Sequence, residues 1–271
     1  MEKYLDVGVN KGDMMMDTVL YESKNSISYI YFNREDQYNA LNQEMLEELL
    51  AVVEKAEESD DQIVVLGGKG KAFCAGGDIT MMTDFSNQEF FDEIMHTIGK
   101  IVTKLYMMPK IVISAVQGSA AGLGLSIALT ADYVIAQNES KFGVLFIGIG
   151  LAPDGGGHFW LKERLGTNQA KQFIWSLKQA QGPEAKAMGL VDIITDDHVV
   201  EHATKLGQQL LHSPLAAMLQ TKQIYHTKQN EVLQYYLKQE HKTQLELRDT
   251  EDHREGVQAF LEKRKPVFQG K

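Results

Sequence analysis

The sequence predicts an α/β core followed by a wholly helical C-terminal region, on three observations. Short β-type apolar runs alternate with helix-period segments as far as about residue 200. Twice, at residues 63–66 and 111–116, an apolar strand runs into a glycine-containing loop and then a helix. Beyond about Glu201 the strand signal stops and only amphipathic helical patterns remain. No Ser- or Pro-rich linker intervenes, so the helical part is expected to pack on the core.

The elements follow in order. Residues 1–17 read as a loose tail, in which Met14, Met15 and Met16 offer alternative start sites. Residues 18–21 and 26–32 flank Ser23-Lys24-Asn25 as a hairpin. Asn42 is placed to N-cap a helix with Met45, Leu49, Val52, Val53 and Ala56 on one face. The strand at 63–66 ends at Gly67-Gly68, a helix starts near Asn87, and the strand at 111–116 follows. A short helix spans 123–129 and a further strand 132–136. Three helices are expected at 201–211, 215–236 and 249–263. The divisions are therefore a tail (1–17), a core bearing the site (18–200) and a helical region (201–271).

Composition removes several function classes. With 271 residues, 44 % apolar and 24 % charged, the chain can bury one substantial core. A net charge of −10 disfavours nucleic acid and anionic membrane as partners, and Lys263-Arg264-Lys265 is too short to change that. No stretch of about 18 apolar residues suggests a membrane span. The acidic N-terminus lacks the apolar core of a signal peptide, and one cysteine, Cys74, excludes an internal disulfide; both fit a cytoplasmic protein. The 8 histidines show no metal-ligand spacing, so no metal is expected.

Three segments carry chemistry. Phe73-Cys74-Ala75-Gly76-Gly77-Asp78 is either a plain turn or a place where backbone comes close to a ligand. Cys74 within it reads as a packing residue, for no histidine at a fixed spacing offers itself as its base. Ala120-Ala121-Gly122-Leu123-Gly124 opens a helix, whose free N–H groups suit an oxyanion, and it is neither a P-loop nor a dinucleotide fingerprint. Asp154, in Gly150-Leu151-Ala152-Pro153-Asp154-Gly155-Gly156-Gly157, is either a base beside these loops or the N-cap of the helix that follows. His158 reads as a packing or capping residue.

In this order the segments resemble the crotonase (enoyl-CoA hydratase/isomerase) superfamily, from about Thr18 to Phe268. The resemblance also takes in Asn33-Arg34 with Asn39-Ala40-Leu41, Ala115-Val116-Gln117-Gly118, Ala131-Asp132, Phe142-Gly143, Ala185-Lys186-Ala187-Met188-Gly189-Leu190-Val191 and the ending 255–266. It implies a spiral of ββα units with a C-terminal helical trimerisation region, often doubled into a dimer of trimers. It implies an acyl-CoA thioester substrate, coenzyme A being part of that substrate, and no separate cofactor. Gly77 and Leu123 map to the two oxyanion donors, and Leu123 stands where the family commonly has Gly or Ala. Ala75, Asp78, Ile79, Gly122, Phe146 and Pro153 map to the substrate site, and Phe260 and Lys263 to residues that reach a neighbour's CoA.

The departures are informative. The two glutamates that handle water in hydratases map to Ser126 and Phe146, neither of which can act as a base. Asp154, eight residues after Phe146, maps to the acid of superfamily isomerases. The motif is closest to the phenylacetate-pathway-type enoyl-CoA isomerase group. Glu35, Asp36 and Thr80 stand where cations often meet CoA phosphates. The resemblance therefore implies an isomerase acting on an unsaturated acyl-CoA. The alternatives are a hydratase or hydrolase in which Asp154 handles water, and an acyl-CoA-binding protein with little activity.

Overall fold

The computed structural model describes residues 17–84 and 87–271. β1 (Val19–Lys24) and β2 (Ile27–Phe32) form the expected antiparallel hairpin, with Val19 opposite Phe32. The turn places Asn25 and Ser26 at φ of 54° and 61°, the paired positive angles that match the twist of the flanking strands. β2 then pairs in parallel with β3 (Ile63–Gly68), followed by β4 (Ile111–Val116), β6 (Tyr133–Gln137) and β9 (Ile193–Thr195). The main sheet has the order β1-β2-β3-β4-β6-β9.

Both faces of the inner strands are covered, which is why β3 and β4 read as mainly apolar runs, whereas the edge strand β1 ends in exposed polar residues. Val64, Leu66, Val112 and Val116 face a core shared with α1 (Gln43–Glu58) and α2 (Gln88–Met107). Ile63, Val65, Ile111 and Ile113 pack against Val199, Ala203 and Leu210 of α6 (Val199–Leu211). Asn42 caps as expected, its Oδ1 accepting from Met45 N at 3.0 Å. Asn87, near which a helix was expected to start, proves to be that helix's cap, its Oδ1 accepting from Phe90 N at 3.3 Å. Of the tail, only Asp17 lies among the described residues, and it is tied down. Its N–H donates to Glu48 and its carbonyl accepts from Asn33 Nδ2 at 2.7 Å.

A second sheet was not legible in the sequence. β5 (Ser119–Ala121), β7 (Lys141–Gly143) and β8 (Gln179–Gln181) are three-residue strands in the order β5-β7-β8, too short to show a period. The chain turns from β4 into β5 at Gly118, φ +58°, where a Cβ would stand 1.9 Å from Lys71 O. Only glycine fits there. α3 (Leu123–Ala128) follows β5 directly, and α4 (Gly157–Ser176) and α5 (Gly182–Met188) complete the core.

Beyond β9 the chain is helical, as expected, with one correction of consequence. The helix expected at 215–236 continues to Leu247 as α7 (Leu215–Leu247). Its last third was missed because inward-facing positions there are polar: Glu240 and Gln244 are buried. α8 (Glu251–Leu261) turns back onto the short 3-10 turn Phe146–Ile149, where His253 Nδ1 meets Ile149 O at 2.7 Å. Among the described residues no helix is long and apolar enough to cross a membrane.

Candidate active site

The loop after β3 is held by the motif Asn33-Arg34…Asn39. Asn39 Nδ2 donates to Ala72 O at 2.8 Å and to Lys69 O at 3.0 Å, while its Oδ1 accepts from Arg34 N at 2.8 Å. Arg34 Nη1 donates to Ala40 O and pairs with Asp78 Oδ2 at 3.0 Å. Gly77 is then clamped on both sides: Leu41 N donates to Gly76 O, and Asp78 N donates to Leu41 O, each at 2.8 Å. In that strand-like pairing the intervening residue turns its own N–H the other way. Among the described residues the Gly77 N–H has no protein acceptor, and a Cβ built on Gly77 would meet nothing within 4 Å.

The second loop lies against the first. Cys74 N donates to Ser119 O and Ala121 N to Cys74 O, both at 3.0 Å. A Cβ on Gly76 would stand 2.8 Å from Ala121 O. Leu123 is the first residue of α3, so its N–H has no partner within the helix, and none is found elsewhere among the described residues. The Cys74 thiol is buried, donates to Asn39 O at 3.1 Å and is pushed up to about 12 by burial. It is the packing residue that the sequence suggests.

Gly77, Leu123 and Phe146 line both an inner recess of about 50 Å³ and an outer groove of about 340 Å³. The two free N–H groups belong to residues at this junction. The groove is of a size usual for small-molecule sites. Its walls include Ala75, Ile79, Gly122 and Phe260, and this Phe260 belongs to the same chain as the groove. Two residues expected at the substrate site, Asp78 and Pro153, stand off these walls, as does Lys263, which was expected to reach a neighbour's CoA. Asp78 is engaged by Arg34 and by Thr80, whose Oγ1 donates to Asp78 Oδ1 at 2.8 Å. Burial works to raise the Asp78 pKa, but hydrogen bonds from Thr80 and Arg34 outweigh it and hold the carboxyl below its ordinary range. Pro153 packs under the start of α4 at Gly157, and Lys263 lines neither space.

Among the described residues Asp154 is the one acidic residue on the recess wall. It is not an N-cap: Gly156 occupies that position, and no side chain of the preceding loop caps α4. The cap comes from far along the chain. Glu240 accepts from Gly156 N at 2.7 Å and His158 N at 3.0 Å, and its Oε1 lies 2.8 Å from His158 Nδ1. Asp154 is thereby left for other work. Ser126, in place of a hydratase glutamate, donates from Oγ to Asp154 O at 2.8 Å and holds the backbone. Gln244 Nε2 donates to Asp154 Oδ2 at 3.0 Å, while Oδ1 is shut from solvent and has no partner among the described residues. Burial, then the negative charge of Glu240, raise the Asp154 carboxyl to about 7 against the Gln244 bond. Glu240 and Gln244 were invisible to sequence reasoning, because only the fold brings α7 beneath this loop.

Paired ββα elements, a helical C-terminal layer and free backbone N–H groups at the mouth of an apolar recess define a crotonase-fold protein. The chain belongs to the enoyl-CoA hydratase/isomerase family, whose profile matches residues 22–271. It is 46 % identical over 254 residues to the putative enoyl-CoA hydratase/isomerase YhaR of Bacillus subtilis, covering 94 % of this chain and 100 % of the relative. It is 30 % identical over 269 residues to the 1,2-epoxyphenylacetyl-CoA isomerase of Escherichia coli, covering 95 % and 100 %. A crystal structure of an enoyl-CoA hydratase from Mycobacterium avium subsp. paratuberculosis superposes with a TM-score of 0.84 at 29 % identity, covering 93 % of this chain and 98 % of the other.

Proposed function

We propose that this protein is an enoyl-CoA isomerase that moves a C=C bond from the 3- to the 2-position of an acyl thioester. The observation that carries the reading is Asp154 Oδ1, an unpartnered carboxyl oxygen on a recess whose mouth holds the Gly77 and Leu123 N–H groups. The thioester oxygen would accept from both donors. Asp154 would take a proton from C2, the electron pair of that C–H bond passing into a dienolate whose charge rests on the thioester oxygen. As Asp154 returns the proton to C4, C3=C4 opens, C2=C3 forms and the thioester C=O is restored. Charge gathers on the thioester oxygen in the dienolate, where preorganised N–H donors are worth roughly 3–4 kcal/mol each in well-studied enzymes. A carboxyl raised to about 7 is suited to both taking and returning a proton near neutrality. Proton and double bond are conserved, so the step calls for no metal or redox partner.

The names of the relatives span both reactions of the family, and the site chemistry favours isomerisation. Ser126 is bonded to backbone and Phe146 is apolar, so neither of the two hydratase positions can activate water. The test is product identification from 3-enoyl-CoA and 2-enoyl-CoA with wild type and Asp154→Asn. We expect the wild type to convert the 3-enoyl ester without forming a 3-hydroxy product. The variant should lose about 10²–10⁴-fold of that rate and still bind acyl-CoA. Formation of 3-hydroxyacyl-CoA as the main wild-type product would establish a hydratase instead.

A further inference from the structure

Arg248 follows α7 and lines the inner recess together with Asp154, Gln244 and Phe91. Its Cζ lies 4.6 Å from the centre of the Phe91 ring, a cation–π contact that orients the guanidinium plane. Its Nε and Nη1 are shut from solvent and find no acceptor among the described residues. Leaving charged donors buried and unpaired costs stability that an apolar residue of like volume would spare. Asp154 does not discharge that cost: its Oδ2 is bonded to Gln244, and the charge acting on it is that of Glu240.

A recess meant for a plain hydrocarbon tail gains nothing from such a group. We infer that the recess is built for an acyl thioester whose short acyl chain ends in a carboxylate, bound by the Arg248 guanidinium. The planar fork of arginine matches a carboxylate in geometry and charge. Arg248 lies four residues, about 6 Å along the helix axis, beyond the Gln244 that holds Asp154. Reacting carbons at Asp154 and a carboxylate at Arg248 would therefore be only a few bonds apart, in keeping with the small recess. An uncharged chain leaves the donors unpaired, and sites built around such donors reject ligands that lack the acceptor. The inference rests on the acyl-thioester reading above.

The test is calorimetric binding of two saturated, unreactive probes of equal chain length, adipoyl-CoA and hexanoyl-CoA. We expect wild type to bind adipoyl-CoA at least about 10-fold more tightly, the order of one charge-assisted hydrogen bond. Arg248→Met should abolish or reverse that preference, and Arg248→Lys, which keeps the charge and loses the fork, should retain part of it. Circular dichroism checks both variants, and if the Met variant does not fold, Arg248→Gln takes its place. Equal or tighter wild-type binding of hexanoyl-CoA, or a preference that survives loss of the guanidinium, would overturn the inference while leaving the acyl-CoA reading intact. Binding of neither probe would overturn both.

Discussion

Gln244 Nε2 donates to Asp154 Oδ2 at 3.0 Å and to Ala152 O at 2.8 Å, so one amide from α7 fixes both a carboxyl and the loop that carries it. The other carboxyl oxygen is left unpartnered on the recess wall. Asp154 is thus held with one oxygen anchored and, among the described residues, one without a protein partner, the arrangement that the proposed proton transfer would use. The bond also partly offsets the burial that raises the carboxyl to about 7.

The raised Asp154 carboxyl ties activity and stability to pH in opposite senses. As the base, it should bring kcat/KM to half its plateau near pH 7, with the active form above that point. The folded chain holds this proton to higher pH than the unfolded chain, so stability falls as pH rises from about 4 to about 7. Asp154→Asn should therefore unfold later than wild type at pH 8, by about 2–4 kcal/mol, and show no such advantage near pH 4. Denaturant titrations at the two pH values would check this, and an equal effect at both would contradict it.

Gly77 separates backbone chemistry from side-chain bulk. Because a Cβ there meets nothing within 4 Å, Gly77→Ala should fold normally and keep the N–H. Gly77→Pro removes the donor and should lower turnover by about 10²–10³-fold. Turnover by a well-folded Pro variant equal to that of the Ala variant would remove Gly77 from the oxyanion hole.

Glu240→Gln should act twice. The amide can accept from only one of Gly156 N and His158 N without turning its own donor against the other, costing about 1–3 kcal/mol. Loss of the negative charge should also let the Asp154 carboxyl fall, moving the acidic limb of the rate profile to lower pH. A loss of stability with an unmoved limb would confine Glu240 to capping.

Leu123 narrows the junction of recess and groove, and a Cβ on Gly155 would stand 2.4 Å from its Cδ1. Leu123→Ala keeps the N–H and should shift preference toward longer acyl chains, at a cost of about 2–4 kcal/mol in stability. Competition between acyl-CoA esters of increasing length would show it, and an unchanged length profile would count against it.

Much of this was legible along the chain, because the signals were local. The strands β2, β3 and β4 are buried on both faces and so are largely apolar, broken by Ser28 in β2 and Ser114 in β4, and Asn42 announces the helix it caps. The glycine loops and Asp154 declared themselves by composition and order. The loop around Gly77 needs small residues for close approach, and that requirement is written at the positions themselves.

What tertiary structure decided is the environment of Asp154. From sequence, Asp154 served equally as a helix cap or as a base. The cap was taken by Glu240, 86 positions away, which leaves the Asp154 carboxyl outside it. Gln244 near the end of α7 and Arg248 just after it complete the recess, from a polar stretch that the expected helix left out because hydrophobic periodicity cannot register buried polar residues. A pKa near 7 is likewise no property of an aspartate in a sequence. It arises from desolvation and a neighbouring charge, and both exist only once distant segments have packed together.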